Sequence, residues 1–270
     1  MSEAVSEPTT RHPVGPVDRR HVILQRVAED QAIHVGELAR DLGVSEMTIR
    51  RDIRRLERDG FVRQTYGGAT AHLTRSLDLA FNARALQHTR EKRMIGMRAT
   101  QLVADARVMF VGIGTTAEQF AQYLPARPDL TVVTGSLSIA SLLGTRPVRA
   151  VVLGGTVLHD ELTCVGPAAA ATLERYAFDL AVIGAGGISA RWGVTEVSDE
   201  EAAIQRLAIE RAARVVVIAD GSKLGTSHSS IVAPAQRIAT LVTDRSAPAD
   251  ELAALERLGV QVIIADLPGD

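Results

Sequence analysis

Seven short apolar runs, each rich in β-branched residues, recur through residues 105–268 and constrain the fold more than any other feature of the sequence. The runs are 108–111, 130–133, 149–153, 180–183, 214–218, 239–242 and 260–264. Segments with helical spacing fall between most of them, at 115–124, 136–143, 167–175, 197–212 and 249–258. This alternation predicts the α/β class, with a mostly parallel open sheet covered by helices on both faces.

The composition agrees with such a sheet. Hydrophobic residues make up 46% of the chain but aromatic residues only 3%, so the core must be aliphatic, which suits buried parallel strands. Cys164 is the only cysteine. An intramolecular disulfide and a cysteine metal cluster are therefore excluded, and a reducing cytoplasm is expected. No membrane partner is expected, because no apolar run reaches the length of a membrane span and the N-terminus lacks the apolar core of a signal peptide.

Residues rich in Gly, Ser and Thr follow five of the predicted strands, at the ends where a parallel sheet binds ligands. Glycine lets the backbone approach a ligand, and free N–H groups at the following helix starts favour an anion. Lys223 adds a positive charge. Tight turns also need Gly and Ser, but five such loops together favour a small ligand that carries a phosphate. The candidate residues are Gly112, Gly114, Thr115, Thr116, Thr134, Ser136, Gly154, Gly155, Gly186, Gly187, Asp220 and Lys223.

Nucleotide ligands fit the sequence less well. Residues 112–117 (GIGTTA) match the dinucleotide fingerprint, which expects an acidic residue at the end of the next strand to bind the ribose. That position holds residues 134–136 (TGS) instead, and the chain has no Gly-x4-Gly-Lys-Ser/Thr phosphate loop. We therefore expect no cofactor.

Carboxylates near the predicted site offer a base for sugar isomerisation, which moves a proton next to a carbonyl. They are Glu196, Asp199, Glu200 and Asp220. The helix dipole also favours carboxylates at helix starts, and no acid and base are paired by their spacing. We therefore assign no catalytic residue and no metal ligand.

A basic helix is predicted over residues 45–60. Ser45 is a suitable N-cap and Gly60 a suitable C-terminal glycine. Three apolar residues, Ile49, Ile53 and Leu56, recur at helical spacing and predict a buried stripe. Guanidinium groups elsewhere on the helix can neutralise phosphates and contact guanine edges; they belong to Arg50, Arg51, Arg54, Arg55 and Arg58. Taken alone, the segment also fits a solvated surface helix.

The neighbouring segments favour DNA binding. A helix is predicted over 18–31, a short strand over 32–35 and a second helix over 36–42, with a tight turn at 43–44 before the basic helix. Short helices joined in this way form the helix-turn-helix pattern. Residues 61–70 predict a β-hairpin wing, on which Arg63 and Tyr66 can contact the DNA backbone or the minor groove. Because the net charge of the chain is −2, the DNA-binding surface must be local.

The residue pattern also resembles a known family. Residues 35–60 (VGELARDLGVSEMTIRRDIRRLERDG) and 66–69 (YGGA) are similar to the DNA-binding signature of the DeoR family of bacterial transcriptional regulators. The family usually has His at the position of Tyr66, a change that keeps a polar ring on the wing. The loops after the predicted strands resemble the effector domain of the family, which is similar to phosphosugar isomerases.

The resemblance implies a regulator, expected to repress a sugar or carbon-metabolism operon under the control of a phosphorylated sugar or related metabolite. The family commonly has an acidic residue at Gly112, Asn at Gly135 and Lys at Gln205. These departures leave the phosphate loop unchanged but assign no particular sugar. The candidate DNA-binding residues are Ser45, Met47, Thr48, Arg50, Arg51, Arg54, Arg55, Arg63 and Tyr66.

Within that set, the residues at the start of the helix are expected to reach base edges, and Arg54, Arg55 and Tyr66 to hold phosphates. The expected partners are a double-stranded DNA operator, the small-molecule effector and further copies of the chain in a dimer or tetramer. Two alternatives stay open: a phosphosugar isomerase-like enzyme with an accessory DNA-binding domain, and a DNA-binding protein whose sugar domain serves only to oligomerise. The expected segments are a disordered tail (1–17), a winged helix-turn-helix (18–70), a connecting helical segment (71–104) and an effector-binding domain (105–270).

Overall fold

The computed structural model describes residues 19–20, 22–24, 26–27, 32–58, 62–71, 84–85, 87–158 and 161–266. The chain separates into two compact units, Met1–Gln87 and His88–Asp270, and each is described by itself. The tail predicted over 1–17 and the helix-ending Gly60 lie outside the described residues. In the part of the chain that is described, no helix is both long and apolar enough to cross a membrane.

The first unit contains the predicted helix-turn-helix and wing. The residues described between 19 and 27 are helical. They are followed by β1 (Ala32–His34), α1 (Val35–Asp41), α2 (Glu46–Arg58), β2 (Val62–Thr65) and β3 (Gly68–Ala71). The strands form an antiparallel sheet in the order β1-β3-β2. A Cβ at Gly68 would lie 1.7 Å from the carbonyl oxygen of Ile33, so the pairing of β1 with β3 requires glycine there.

The stripe predicted on α2 is the core of this unit. Ile49, Ile53 and Leu56 are no more than 2% exposed and pack in one apolar cluster with residues of the N-terminal helical segment and of β2. Asp52 shares the buried face of α2, and its carboxylate lies 2.5 Å from Nε of Arg19. Because a buried charge without its partner is strongly destabilising, this ion pair fixes the N-terminal helical segment against α2.

The second unit is built on the predicted parallel sheet. Its strands are β4 (Val108–Val111), β5 (Thr131–Thr134), β6 (Arg149–Val152), β9 (Leu180–Ile183), β12 (Val215–Ile218), β14 (Thr240–Thr243) and β15 (Gln261–Ile264). They lie in the order β15-β14-β12-β9-β4-β5-β6, and every neighbouring pair is parallel. Each strand coincides with one of the seven apolar runs, which confirms the predicted fold class.

Helices cover both faces of this sheet, also as predicted. One face carries α3 (Thr89–Ala99), α4 (Thr115–Tyr123) and α5 (Leu137–Leu143), and the other carries α6 (Pro167–Leu173), α7 (Asp199–Glu210) and α8 (Ala249–Arg257). Consecutive residues of β4 alternate between the two faces. Met109 packs in the apolar cluster that includes Phe120 of α4, whereas Phe110 packs in the cluster that includes Leu173 of α6.

Five further strands are not predicted by the sequence. The hairpin β7 (Thr156–Leu158) and β8 (Thr163–Val165) follows β6, and a small antiparallel sheet joins β10 (Gly187–Ser189), β11 (Gly193–Glu196) and β13 (Ser230–Ala233). Each has only three or four residues. Runs of that length are too short to show a period of two.

Helix α3 lies within the segment 71–104, which the sequence assigns to a connection, and it packs as part of the second unit. Ile95 and Ala99 are buried in the same apolar cluster as Phe120 of α4. A Cβ at Gly96 would lie 2.7 Å from the backbone nitrogen of Phe120. The backbones of α3 and α4 therefore cross in direct contact.

Gly96→Ala is expected to lower the free energy of unfolding of the second unit by roughly 1–3 kcal/mol, because the added methyl group overpacks this crossing. Trp192, the only tryptophan, lies in this unit, so its fluorescence during urea unfolding reports the change. Met97→Ala, at an exposed position of the same helix, is the matched control and should stay within about 0.5 kcal/mol of the parent chain. Equal stability of Gly96→Ala and the parent would contradict the close crossing.

Candidate functional site

A row of long side chains covers the outward face of α2. Because Ile49 and its neighbours on the stripe face the core, positions 47, 51, 54 and 58 fall on the opposite side of the helix. Met47 is 63% exposed, and Arg51, Arg54 and Arg58 are exposed. Three guanidinium groups and one apolar side chain thus form a surface suited to a polyanion that also offers an apolar contact.

The other predicted arginines lie beside this row. Arg50 is on one flank of α2, where its Nη2 lies 3.3 Å from Oε2 of Glu46. Arg55 is exposed on the opposite flank, and Arg63 is exposed on β2. The guanidinium of Arg50 therefore already has a carboxylate partner on its own helix, whereas Arg51 is turned outward.

Ser45 and Thr48, the two hydroxyl residues predicted to contact DNA, form hydrogen bonds at the N-terminus of α2. The N–H of Thr48 donates to Oγ of Ser45 at 3.2 Å, which confirms Ser45 as the N-cap. The two side-chain oxygens are 2.9 Å apart. Ser45 and Thr48 thus stabilise the N-terminal turn that carries Met47.

Hydrogen bonds donated by backbone N–H groups fix the wing to both helices. The N–H of Val35, at the start of α1, donates to the carbonyl of Gly67 at 2.8 Å. The N–H of Gln64 donates to Oε1 of Glu57 on α2 at 2.9 Å. Tyr66 stands at the tip of the wing and is fully exposed. An aromatic ring held outside the core by such a rigid turn is placed to contact a partner.

An open groove of about 810 Å³ runs between α1, α2 and the turn of the wing. Its rim carries charges of both signs, from Glu37 and Glu46 and from Arg40 and Arg50. Such a balanced and shallow surface does not select an anionic small molecule.

In the second unit, the predicted loops follow neighbouring strands and lie along one edge of the sheet. The chain starts in the middle at β4, proceeds outward through β5 and β6, and then returns to β9 on the other side of β4. Open α/β sheets bind ligands at such a switch point. A Cβ at Gly184 would lie 2.7 Å from the carbonyl oxygen of Ile113, and the N–H of Gly225 donates to the carbonyl of Ile188 at 2.9 Å. The loops after β4, β9 and β12 are therefore in contact, and we refer to the space they enclose as the crevice.

The loop after β4 leads into an uncapped helix. Gly114 precedes α4 with a φ of 103° and caps it with no side chain. Thr115 and Thr116 occupy the first turn and are 8% and 7% exposed. The first N–H groups of an α-helix have no intrahelical partner, and together with the dipole they favour an anion.

The loops after β5 and β6 are explained by packing. Oγ of Ser136 accepts from the N–H of Ile139 and so caps α5, while Oγ1 of Thr134 accepts from the N–H of Ser136 at 3.1 Å. A Cβ at Gly155 would lie 2.5 Å from the carbonyl oxygen of Val165 on β8. These hydroxyls and this glycine already have structural partners, and Gly154 belongs to the same turn.

A buried ion pair lies beside the loop after β12. Oδ1 of Asp220 accepts from the N–H of Ser222 at 3.2 Å. Oδ2 of Asp220 has no hydrogen-bond partner among the described residues and lies 4.0 Å from Nζ of Lys92 on α3. Lys223, three residues after Asp220, is partly exposed. The sequence did not indicate Lys92 as a site residue, although its position three residues before Ile95, on the apolar face of α3, was an available signal.

A buried carboxylate faces the loop after β9. Glu196 is 8% exposed, and its Oε1 accepts from the N–H of Gly186 and from Nε2 of Gln205, both at 3.1 Å. Burial raises the pKa of Glu196, an effect opposed by these two hydrogen bonds and by the nearby His228 and Lys223. The sequence indicated Glu196 only as a candidate base and Gln205 only as a departure from the family pattern, and it did not indicate that the two side chains form a hydrogen bond.

Glycine at the end of β9 leaves room for these groups. A Cβ at Gly186 would lie 2.7 Å from Oε2 of Glu196, and one at Gly187 would lie 2.7 Å from the carbonyl oxygen of Thr226. Both predicted glycines are thus required for close approach of the loops. No group of His, Cys, Asp and Glu side chains in the described ranges is arranged to hold a metal ion.

Comparisons with known proteins agree with this two-part arrangement. Residues 19–74 match the model of the DeoR-like helix-turn-helix domain, and residues 87–245 match that of the DeoR C terminal sensor domain. The HTH-type transcriptional regulator GlpR of Haloferax volcanii is 32% identical over 92% of this chain and 97% of its own length. The putative aga operon transcriptional repressor of Escherichia coli O157:H7 is 30% identical over 93% of this chain and 94% of its own.

Solved structures are more distant. The sorbitol operon regulator SorC from Klebsiella pneumoniae is 15% identical with a TM-score of 0.42, over 88% of this chain and 98% of its own. Ribose 5-phosphate isomerase A from Methanocaldococcus jannaschii is 20% identical with a TM-score of 0.37, over 49% of this chain and 52% of its own. Neither likeness is close enough to identify a ligand or an activity.

The raised pKa of Glu196 predicts how one substitution changes stability with pH. A carboxyl that is more easily protonated in the folded chain contributes stability at low pH, and that contribution is lost as the pH rises through the raised pKa. Glu196→Gln carries no charge and keeps an oxygen that can accept both hydrogen bonds. At about pH 4, below the ordinary glutamate pKa, the Tm of this variant should match that of the parent. As the pH rises to neutral, the Tm of the variant should exceed that of the parent by a growing margin. Glu210→Gln, at the exposed end of α7, is the control. A difference in Tm between Glu196→Gln and the parent that stays constant across the pH range would contradict a buried site that disfavours the charged carboxylate.

Proposed function

Because the chain belongs to the DeoR family of DNA-binding transcriptional regulators, we propose that it represses a sugar or carbon-metabolism operon and that a phosphorylated sugar controls its hold on DNA. The observation that carries the DNA-binding half is the outward row of Met47, Arg51, Arg54 and Arg58 beside the exposed wing residue Tyr66. The observation that supports the second half is the crevice, which has the uncapped start of α4 in the loop after β4 and Lys223 in the loop after β12. Both partners, operator DNA and sugar phosphates, occur in the cytoplasm, where we place the protein.

In this proposal, Arg51 and Met47 contact base edges in the major groove, where the start of a recognition helix is usually placed. Arg54, Arg58 and the flanking Arg55 neutralise phosphates, and Tyr66 contacts the backbone beside the groove. Arg50 holds the start of the helix through Glu46 and contacts DNA only if that pair opens. A dimer or tetramer of the chain would place two such surfaces on paired half-sites.

The crevice offers an anion two kinds of partner. The free N–H groups at Thr115 and Thr116 point out of the start of α4, and Lys223 and Lys92 supply positive charge from two other elements. A phosphate bound there would compete with Asp220 for the ammonium of Lys92. Because Lys92 lies on the first helix after the boundary between the two units, ligand binding acts on the segment of chain that leads to the DNA-binding unit.

We propose binding without turnover. Isomerisation needs an acid and a base that both reach the reacting carbons. Asp220 and Glu196 each hold structural hydrogen bonds through one oxygen, and membership in a family of transcriptional regulators supports binding alone. A regulator needs only a ligand with different affinities for its two states.

Arg51→Ala and Arg54→Ala are each expected to weaken operator binding by roughly 1–3 kcal/mol, since each removes an outward guanidinium from the DNA surface. The measurement is fluorescence anisotropy, at fixed salt, with a duplex that the parent chain selects from a randomised pool. Arg175→Ala removes an exposed positive charge from the second unit and should bind like the parent. Binding within twofold of the parent for both Arg51→Ala and Arg54→Ala would overturn the assignment of this face.

At least one phosphorylated sugar in a panel is expected to raise the Tm of the second unit, because a ligand that binds only the folded state stabilises it. Lys223→Ala and Thr115→Val should reduce or abolish the shift. Thr145→Val, an exposed threonine outside the crevice, should keep it. No shift with any member of the panel would favour a domain that serves only to oligomerise, and accumulation of an isomerised product during the incubation would favour the enzyme.

A further inference from the structure

Two buried side chains beside the crevice form a hydrogen-bonded pair that the phosphate site does not use. Glu196 ends β11 and Gln205 lies in the middle of α7. They are 8% and 2% exposed, and Nε2 of Gln205 donates to Oε1 of Glu196 at 3.1 Å. Burial of two polar side chains at this position is costly unless their remaining atoms also find partners.

The carboxylate of Glu196 fixes the orientation of the Gln205 amide. A carboxylate accepts hydrogen bonds, so the NH₂ group of Gln205 must face Glu196 and its Oε1 must point away. That oxygen has no hydrogen-bond partner within the described part of the chain. Gln205 lines a cavity of about 10 Å³ together with Gly112, Ile113, Gly135 and the acidic Glu201. Gln205 thus carries an unsatisfied acceptor close to the loop after β4, where we propose the phosphate site.

Glu196 presents a second acceptor on the other side of the pair. Its Oε1 receives both hydrogen bonds, and its Oε2 lies beside Gly186, close to the ring of His228. The ring of His228 lies beside the same position of Gly186. Two side chains with acceptor oxygens, one of them acidic, therefore lie next to the loops that enclose the crevice.

We infer that Glu196 and Gln205 form a specificity subsite for hydrogen-bond donors on the carbon chain of the effector. This inference rests on the proposed phosphate site. Hydroxyl or amino groups of a sugar phosphate or amino-sugar phosphate satisfy both acceptors. A phosphorylated sugar acid brings a second anionic group toward the carboxylate, and like charges at such a distance discriminate strongly between ligands. Sites that are built to bind a donor reject analogues that lack it.

A structural role for the pair makes a different prediction. A cavity of this size holds about one water molecule, and a water bound to Gln205 would satisfy its oxygen without any ligand. In that case the pair only ties β11 to α7. The nearby Lys223 and His228 would then be free to attract a second acid group, and phosphorylated sugar acids would bind as well as sugars.

The experiment measures dissociation constants for the full chain by calorimetry, with ligands matched in length. The probes are glycerol 3-phosphate with 3-phosphoglycerate, ribose 5-phosphate with 5-phosphoribonate, and glucose 6-phosphate and glucosamine 6-phosphate with 6-phosphogluconate. Inorganic phosphate is the reference. For every chain length that binds, the donor-bearing ligand should bind at least about tenfold more tightly than the acid.

Two variants then locate the preference. Glu196→Gln should reduce it to within about threefold, and Gln205→Lys, which replaces an acceptor with a cation, should reverse it. Glu210→Gln removes a carboxylate from the exposed end of the same helix α7 and should leave the preference unchanged. Glu210→Gln should also bind inorganic phosphate as tightly as the parent chain. The preference of the parent chain needs no variant, so the inference stays testable even where a variant does not fold.

The outcomes separate this inference from the proposed function. Acids that bind the parent as tightly as the matched sugars, or a preference that is equal in the parent and Glu196→Gln, would overturn the subsite and support the structural role. Binding of inorganic phosphate with none of the organic ligands would overturn it too, while leaving the phosphate site intact. If neither inorganic phosphate nor any organic phosphate binds, both the specificity subsite and the proposed phosphate site are overturned.

Discussion

The parallel register of four neighbouring strands is the constraint on which the chemistry of the second unit depends. β5, β4, β9 and β12 all end at the same edge of the sheet, and the loops after β4, β9 and β12 are in contact although they are far apart in the sequence. The loops approach so closely that Gly184, Gly186 and Gly187 leave no room for a Cβ. Backbone atoms therefore line much of the crevice. In our proposal, the charge of the crevice comes from Lys92 and Lys223, and its hydrogen-bonding specificity comes from Glu196 and Gln205.

Buried charges connect the parts of each unit. Asp52 on the recognition helix pairs with Arg19 of the N-terminal helical segment, so the helix cannot move alone without exposing or isolating a charge. Asp220 and Lys92 make the corresponding link between the crevice and α3. A ligand that disturbs the Asp220–Lys92 pair also disturbs how α3, the helix that follows the unit boundary, is held. The proposed control of DNA binding by a small molecule can therefore begin at this ion pair.

The sequence predicts those elements of the fold that depend on a local pattern of residues. Buried parallel strands read as continuous apolar runs, which is why all seven were found, and the cap by Ser45 follows from one residue type at a helix start. The sequence does not predict the short strands β7, β8, β10, β11 and β13, because their pairing is set by tertiary contacts. It does not predict the burial of Lys92 and Gln205 either, because that burial follows from packing against distant segments. Gly155 shows the reverse case, since a glycine that reads as a ligand loop is also explained by its contact with Val165.

We propose that the chain binds DNA through α2 and the wing and that a phosphorylated ligand in the crevice changes this binding. The most direct measurement is the operator affinity of the full chain with and without a saturating concentration of the sugar phosphate that raises its Tm. We expect the ligand to weaken operator binding by at least about fivefold, within the usual range of allosteric coupling, and the operator to weaken ligand binding by the same factor. Equal operator affinity with and without the bound ligand would contradict the account.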